Sequence, residues 1–224
     1  MHSQQDRALK ILWGVEQATN RGPKARWSPQ HVAQAGVGIA DAGGLDAVSL
    51  SRVAKKLEMT TTAIYRYADS KATLVDLMVD AAVGNAPALP DGEWQQRCRT
   101  WVRLLAARYA EHPWLGDIRP TGMPRQPNAY AWIDVLVRSI PGDAGIDALR
   151  LALLLDGLVR NNAALGQSLN GEESPAWLGE AVAARFPAIA TAPTRDVSDP
   201  RAELDYAVEV VLRGLTRAGR PVEP

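Results

Sequence analysis

Glu58 and Met59 are the only residues between two short helical patterns, and that brevity constrains the fold more than anything else in the sequence. Upstream, "LSRVAKKLE" is amphipathic, with Val53, Ala54 and Leu57 on one side and Arg52, Lys55 and Lys56 on the other. Ser49 precedes it as an N-cap. Downstream, Thr60 is placed to cap "TTAIYRYA", with Met59 and Ile64 as the apolar pair that staples a helix start. Two residues cannot carry the chain back along a helix. They force a sharp crossing, the helix-turn-helix arrangement.

The flanking sequence extends this unit. Ser28 followed by Pro29 opens a helix over "PQHVAQAGVGIADAG", which ends at Gly43–Gly44. Asp69 is read as the cap of a further helix, "SKATLVDLMVDAAVG". Residues 1–27 read as a basic, weakly structured arm, because Gly22–Pro23 interrupts helix and Arg21, Lys24 and Arg26 flank it. Past "PALPDG" (87–92) long helical patterns take over, roughly 93–111, 126–140, 144–168 and 200–218, with a short one near 175–185. Pro- and Gly-rich stretches connect them, and no period-2 pattern persists. The expected fold is all-α: an arm (1–27), an N-terminal three-helix head with its connecting helix (28–84), and a larger C-terminal helical bundle (85–224).

Composition excludes several classes. No apolar run approaches the length of a membrane span. The N-terminus lacks the apolar region and cleavage site of a signal peptide. The lone Cys98 rules out an internal disulfide framework and reads as a small helix residue in a reducing compartment, so a cytoplasmic location is expected. His2, His31 and His112 are far apart and lack partner ligands, so neither a metal nor a cofactor is expected. Net charge is zero, yet residues 20–71 carry eight basic against four acidic side chains. That local surplus suggests contact with a polyanion.

The helix after Thr60 shows what such contact would use. Thr61 and Thr62 occupy an outward first turn, where alanine would favour the helix by roughly 0.5 kcal/mol per residue. Their hydroxyls and methyls can meet base edges in a DNA major groove. Tyr65 and Arg66 follow on the exposed side and can reach phosphates or a base, with Arg52 outward on the preceding helix. Lys71 falls in the first turn of the next helix, where the helix dipole disfavours a cation unless an anion docks there. Arg21 and Lys24 on the arm can track the backbone or the minor groove.

Residues 28–79 resemble the DNA-binding region of the tetracycline-repressor (TetR) family of bacterial transcription regulators. The resemblance rests on the alanine-rich first helix, the Gly-Leu turn, Ser49, Val53-Ala54, Leu57, Ile64-Tyr65 and Lys71. "ILWG" (11–14) and "RGPK" (21–24) are similar to the N-terminal extension of an actinobacterial-type branch. The resemblance implies a homodimer on palindromic double-stranded operator DNA, and it implies DNA contact at Thr60, Thr61, Thr62, Tyr65, Tyr67 and Lys71. It also implies a C-terminal bundle with a cavity for a small-molecule effector and a dimer face. One position departs: the family usually has glycine where this chain has Glu58. Either the glutamate takes a left-handed backbone or the turn is shifted.

The larger part is less explicit. "IDALRLALLLDGLVRNNAALGQ" (146–167) is apolar nearly all round and, with "LDYAVEVVLRGLTRA" (204–218), suits half of an intersubunit four-helix bundle or one chain's own core. Trp101, Tyr109, Trp114, Trp132 and Trp177 suit either core filling or an apolar effector cavity. Asn161 and Asn162 are the candidate polar groups of that cavity. No nucleophile–base or carboxylate pair supports an enzyme. The expectation is therefore a ligand-responsive regulator, a repressor released by a small, largely apolar effector. A DNA-binding regulator without effector is the alternative.

Overall fold

The computed structural model describes residues 5–15, 26–119, 122–169, 175–192 and 199–218, and no strand occurs among them. The helices are α1 (Gln5–Leu12), α2 (Pro29–Gly43), α3 (Leu50–Lys56), α4 (Thr61–Ile64), α5 (Lys71–Val83), α6 (Trp94–Glu111), α7 (Pro127–Ser139), α8 (Ala148–Leu169), α9 (Ala176–Arg185), α10 (Pro187–Ala190) and α11 (Pro200–Ala218). Helices α2–α4 form the head, α5 connects, and α6–α8 with α11 form the body. None of the described helices is long and apolar enough to cross a membrane.

Side-chain caps set the head's helix starts. Ser28 Oγ accepts from His31 N at 3.3 Å, and Ser28 N donates back to His31 Nδ1 at 3.1 Å, a reciprocal cap with Pro29 just inside. Ser49 accepts from Arg52 N and Thr60 from Ala63 N, each at 3.2 Å. The fourth start corrects the sequence reading. Ser70, not Asp69, is the cap, accepting from Thr73 N at 3.1 Å, while Asp69 accepts from the Thr73 hydroxyl. Both residue types cap well, and only the backbone trace separates them.

The turn at Glu58 resolves the open alternative. Its φ is +51°, the only positive φ outside glycine among the described residues. Glu58 N donates to Lys55 O at 3.2 Å and Met59 N to Ala54 O at 2.9 Å. These are the paired bonds that close a helix through a left-handed residue, a role glycine usually fills. The conformation costs a side-chain-bearing residue about 1–2 kcal/mol. Arg26 lies 3.6 Å from the Glu58 carboxylate, so the charge has a partner, although both groups are well exposed.

Two further expectations change. Residues 5–12, assigned to a weakly structured arm, form α1, whose Leu9 is buried and which packs on α5. Beyond it, Trp13 Nε1 donates to Arg125 O at 2.9 Å and its ring meets Tyr130 edge-on. Within the stretch read as the connector 186–200, Pro187–Ala190 is a helical turn, α10.

One hydrophobic core runs through head and body. Val32, Val53, Ile64, Leu74, Leu77 and Met78 fill the head, and Trp101, Val102, Leu136, Leu155 and Leu212 the body. Gly36 permits the α2–α5 crossing: a Cβ there would sit 2.7 Å from Met78 Sδ. Cys98 is fully buried in the same core, and burial pushes its thiol up to about 11, so it stays protonated and unreactive at neutral pH.

Candidate nucleic-acid interface and effector cavity

The short helix α4 exists because Thr60 caps it and Ile64, fully buried, pins it to the head core. The pattern "TTAIYRYA" continues as tight turns rather than regular helix, with Arg66 N bonding to Ala63 O and Tyr67 N to Ile64 O. Thr60, Thr61, Thr62, Tyr65, Arg66 and Lys71 are all exposed, Tyr65 to 56%. Lys55, Lys56, Arg66 and Lys71 are all exposed along the rim of α3–α5 and have no carboxylate partner among the described residues. Thr60 has two functions to reconcile, since its hydroxyl already caps α4.

Two of the expected DNA contacts have partners within the protein. Tyr67 is half-buried and its hydroxyl donates to Trp27 O at 3.1 Å, tying α4 to the start of α2. In this structure its proton is engaged there, so Tyr67 helps hold the head together. Arg52 is exposed, but one Nη donates to Ala47 O at 2.8 Å, anchoring the turn before α3. Arg21 and Lys24 lie outside the described residues.

In the body, a cavity of about 580 Å³ opens between α6, α8 and α11. Ala106, Ala107, Ala110, Pro113, Val159, Ala163 and Leu204 give it apolar walls, and Arg103, Asn162, Asp199, Arg201 and Asp205 add polar groups. Tyr109 also lines it; burial pushes this phenol up to about 12, so it presents a neutral hydroxyl. The Arg160 guanidinium, 6.0 Å from the ring and paired with Asp156 at 2.7 Å, lies behind it.

Most of the aromatic residues proposed for an effector site are elsewhere. Trp101 and Trp132 are core residues: Trp101 Nε1 donates to Trp132 O at 2.8 Å and Trp132 Nε1 to Gly84 O at 3.0 Å. The gap they share with Tyr109 measures about 10 Å³, room for a water at most. Trp114 is buried with its indole N–H on Asp41. Trp177 is 64% exposed on α9 and lines neither of these two spaces. Asn161 is exposed on α8, away from the cavity, whereas Asn162 lines it and donates to Pro200 O at 2.6 Å. On α6 the wall is built largely from Ala106, Ala107 and Ala110, whose three- and four-residue spacing is visible in the sequence but chemically silent.

The head's geometry meets an independent match. The model of bacterial regulatory proteins, tetR family, fits residues 34–78, which span α2 to α5. A possible TetR family transcriptional regulator from Streptomyces coelicolor A3(2) matches the fold with a TM-score of 0.64 at 25% identity, covering 86% of this chain and all of that one. The chain belongs to the tetR family. Within the family, the HTH-type transcriptional repressor DrrR1 of Streptomyces coeruleorubidus is 33% identical over 159 residues, 68% of this chain. The tetR chain spans 58% of that repressor's length. The Streptomyces coelicolor protein ActR, in complex with actinorhodin, matches in fold with a TM-score of 0.74 at 21% identity, over 89% of this chain and all of ActR. The tetR family is one of bacterial regulatory proteins. Among the described residues no cluster of metal-ligating side chains is present.

Proposed function

We propose that this protein is a transcriptional repressor that binds palindromic operator DNA as a homodimer and lets go when a small, largely apolar effector enters the cavity between α6, α8 and α11. The observation that carries the reading is the exposed hydroxyl and cation face of α4: Thr61, Thr62 and Tyr65 in the centre, Arg66 and Lys71 at the rim, without carboxylate partners among the described residues. Thr61 and Thr62 read base edges, while Tyr65, Arg66 and Lys71 hold phosphates. Contact with operator DNA puts the protein in the cytoplasm.

The dimer is supported by an exposed stripe on α8, with Leu154, Gly157, Asn161 and Leu165 at helical spacing, beside Tyr206 and Val210 on α11. Two such pairs of helices would form a four-helix interface and set the two α4 helices about 34–36 Å apart, one turn of DNA. The effector is supported by the cavity's size, which falls within the roughly 300–1,000 Å³ of small-molecule sites. ActR, similar in fold, is known with actinorhodin bound.

Fluorescence anisotropy on the DNA upstream of its own coding region, from low to moderate salt, tests the reading. Binding should weaken steeply with salt, as several phosphates are neutralised. No binding at low salt would overturn it. Binding without any melting shift across a panel of apolar aromatic compounds would leave a regulator without effector.

A further inference from the structure

A repressor of this kind needs the cavity's occupancy to reach a head that the cavity does not touch. Among the described residues, head carboxylates hold the body in two places. In one, Asp76 and Asp80 of α5 hold the start of α7: Gln126 Nε2 donates to Asp76 at 2.8 Å, and Asn128 N and Nδ2 donate to Asp80 at 2.9 and 3.1 Å. None of these residues lines the cavity.

The other place is different. A single oxygen of Asp41, near the end of α2, accepts from His112 Nδ1 at 2.9 Å and from Trp114 Nε1 at 2.8 Å. A carboxylate only accepts, so His112 carries its proton on Nδ1. His112 Nε2 then faces Arg108 Nη2 at 3.4 Å and the Glu111 carboxylate at 3.8 Å. His112 and Trp114 are buried, and the Asp41 side chain is 34% exposed. Between the two donors stands Pro113, which lines the cavity together with Tyr109 and Ala110 from the last turn of α6. The proline ring fixes the backbone here, so the donors and the wall residue move as one piece.

We propose that Asp41 is the positioning residue that couples the cavity to the DNA-binding head. This rests on the regulator reading above. Both bonds converge on one oxygen, so displacing Pro113 by about 1 Å lengthens them together beyond hydrogen-bond range. A ligand seated against Ala110 and Pro113 makes that displacement, and α2 loses its fixed angle to the body. Arg108 also reaches the head, donating to Ala82 O at 2.9 Å from Nε and 2.6 Å from Nη2. It does not itself line the cavity, and its contact is with the end of α5 rather than with α2.

A double-mutant cycle on the full chain tests this without knowing the effector. Ala110→Trp puts an indole into the cavity from an exposed position, as a built-in occupant. Affinity is measured for a duplex that the wild-type protein selects from a random pool. Ala110→Trp should weaken binding about five-fold or more, in the range of ordinary allosteric coupling. In an Asp41→Ala background the same change should have almost no further effect. Trp114→Phe, which keeps a ring but removes the donor, should give an intermediate response. Where Ala110→Trp fails to fold, Ala107→Trp, exposed on the same wall, replaces it. Equal losses in both backgrounds overturn the proposal, as does a cavity substitution with no effect on binding. A merely structural Asp41 would lower the melting temperature yet leave the two losses equal. If wild-type protein selects no duplex, the regulator reading fails and takes this one with it; an additive cycle removes this one alone.

Discussion

The head and the body use opposite sides of their helices. In the head, the chemistry lies on the outside of a four-residue helix, and the inside, Ile64, only holds it in place. In the body, Trp101, Trp114 and Trp132 are inside, and the open space is bounded by small and aliphatic side chains, Tyr109 and a few polar groups. An exposed polar residue on a short capped helix is a feature of the residue itself. A cavity is a feature of what neighbouring helices leave unfilled, so no single residue announces it.

The comparison can be broken at three points. Trp101→Ala should be the most damaging: a fully buried indole with its own hydrogen bond is removed, at about 3–5 kcal/mol. Chemical denaturation measures it, and a loss below about 1 kcal/mol would mean that Trp101 bounds open space after all. On the head, Thr62→Ala should leave stability almost untouched and relax sequence preference at one operator position by about 1–3 kcal/mol. Lys71→Ala should instead weaken binding to every sequence and reduce the salt slope by about 1. Indistinguishable profiles for the two variants would end the division between reading and gripping. The smallest effect is Glu58→Gly, which should stabilise the head by about 1 kcal/mol by removing the left-handed strain. Thermal melting checks it, and a destabilised variant would mean that the Arg26 contact outweighs the strain.

Much of the fold was legible because it is written locally. Serine before proline, serine and threonine before apolar runs, and a two-residue link each specify a helix boundary through a particular hydrogen bond. Asp69 failed because two good caps stood side by side, and the chain used the second. In the body, Trp101 and Trp132 have the residue type and spacing of either core or pocket, and only the packing of α6 against α7 decides between them. The bond of Tyr67 was not legible for a related reason: its partner, Trp27 O, is 40 residues away. The Asp41–His112–Trp114 contact joins residues 71 and 73 apart, so nothing nearby in the chain could have foretold it.

The lone cysteine has a practical consequence. Cys98 is sealed in the body's core and its thiol is held protonated, so a thiol reagent can meet it only while that core is open. The chain therefore carries its own chronometer: the rate at which a reagent consumes this one sulfur counts the openings of the body, and a compound that fills the cavity would slow the clock.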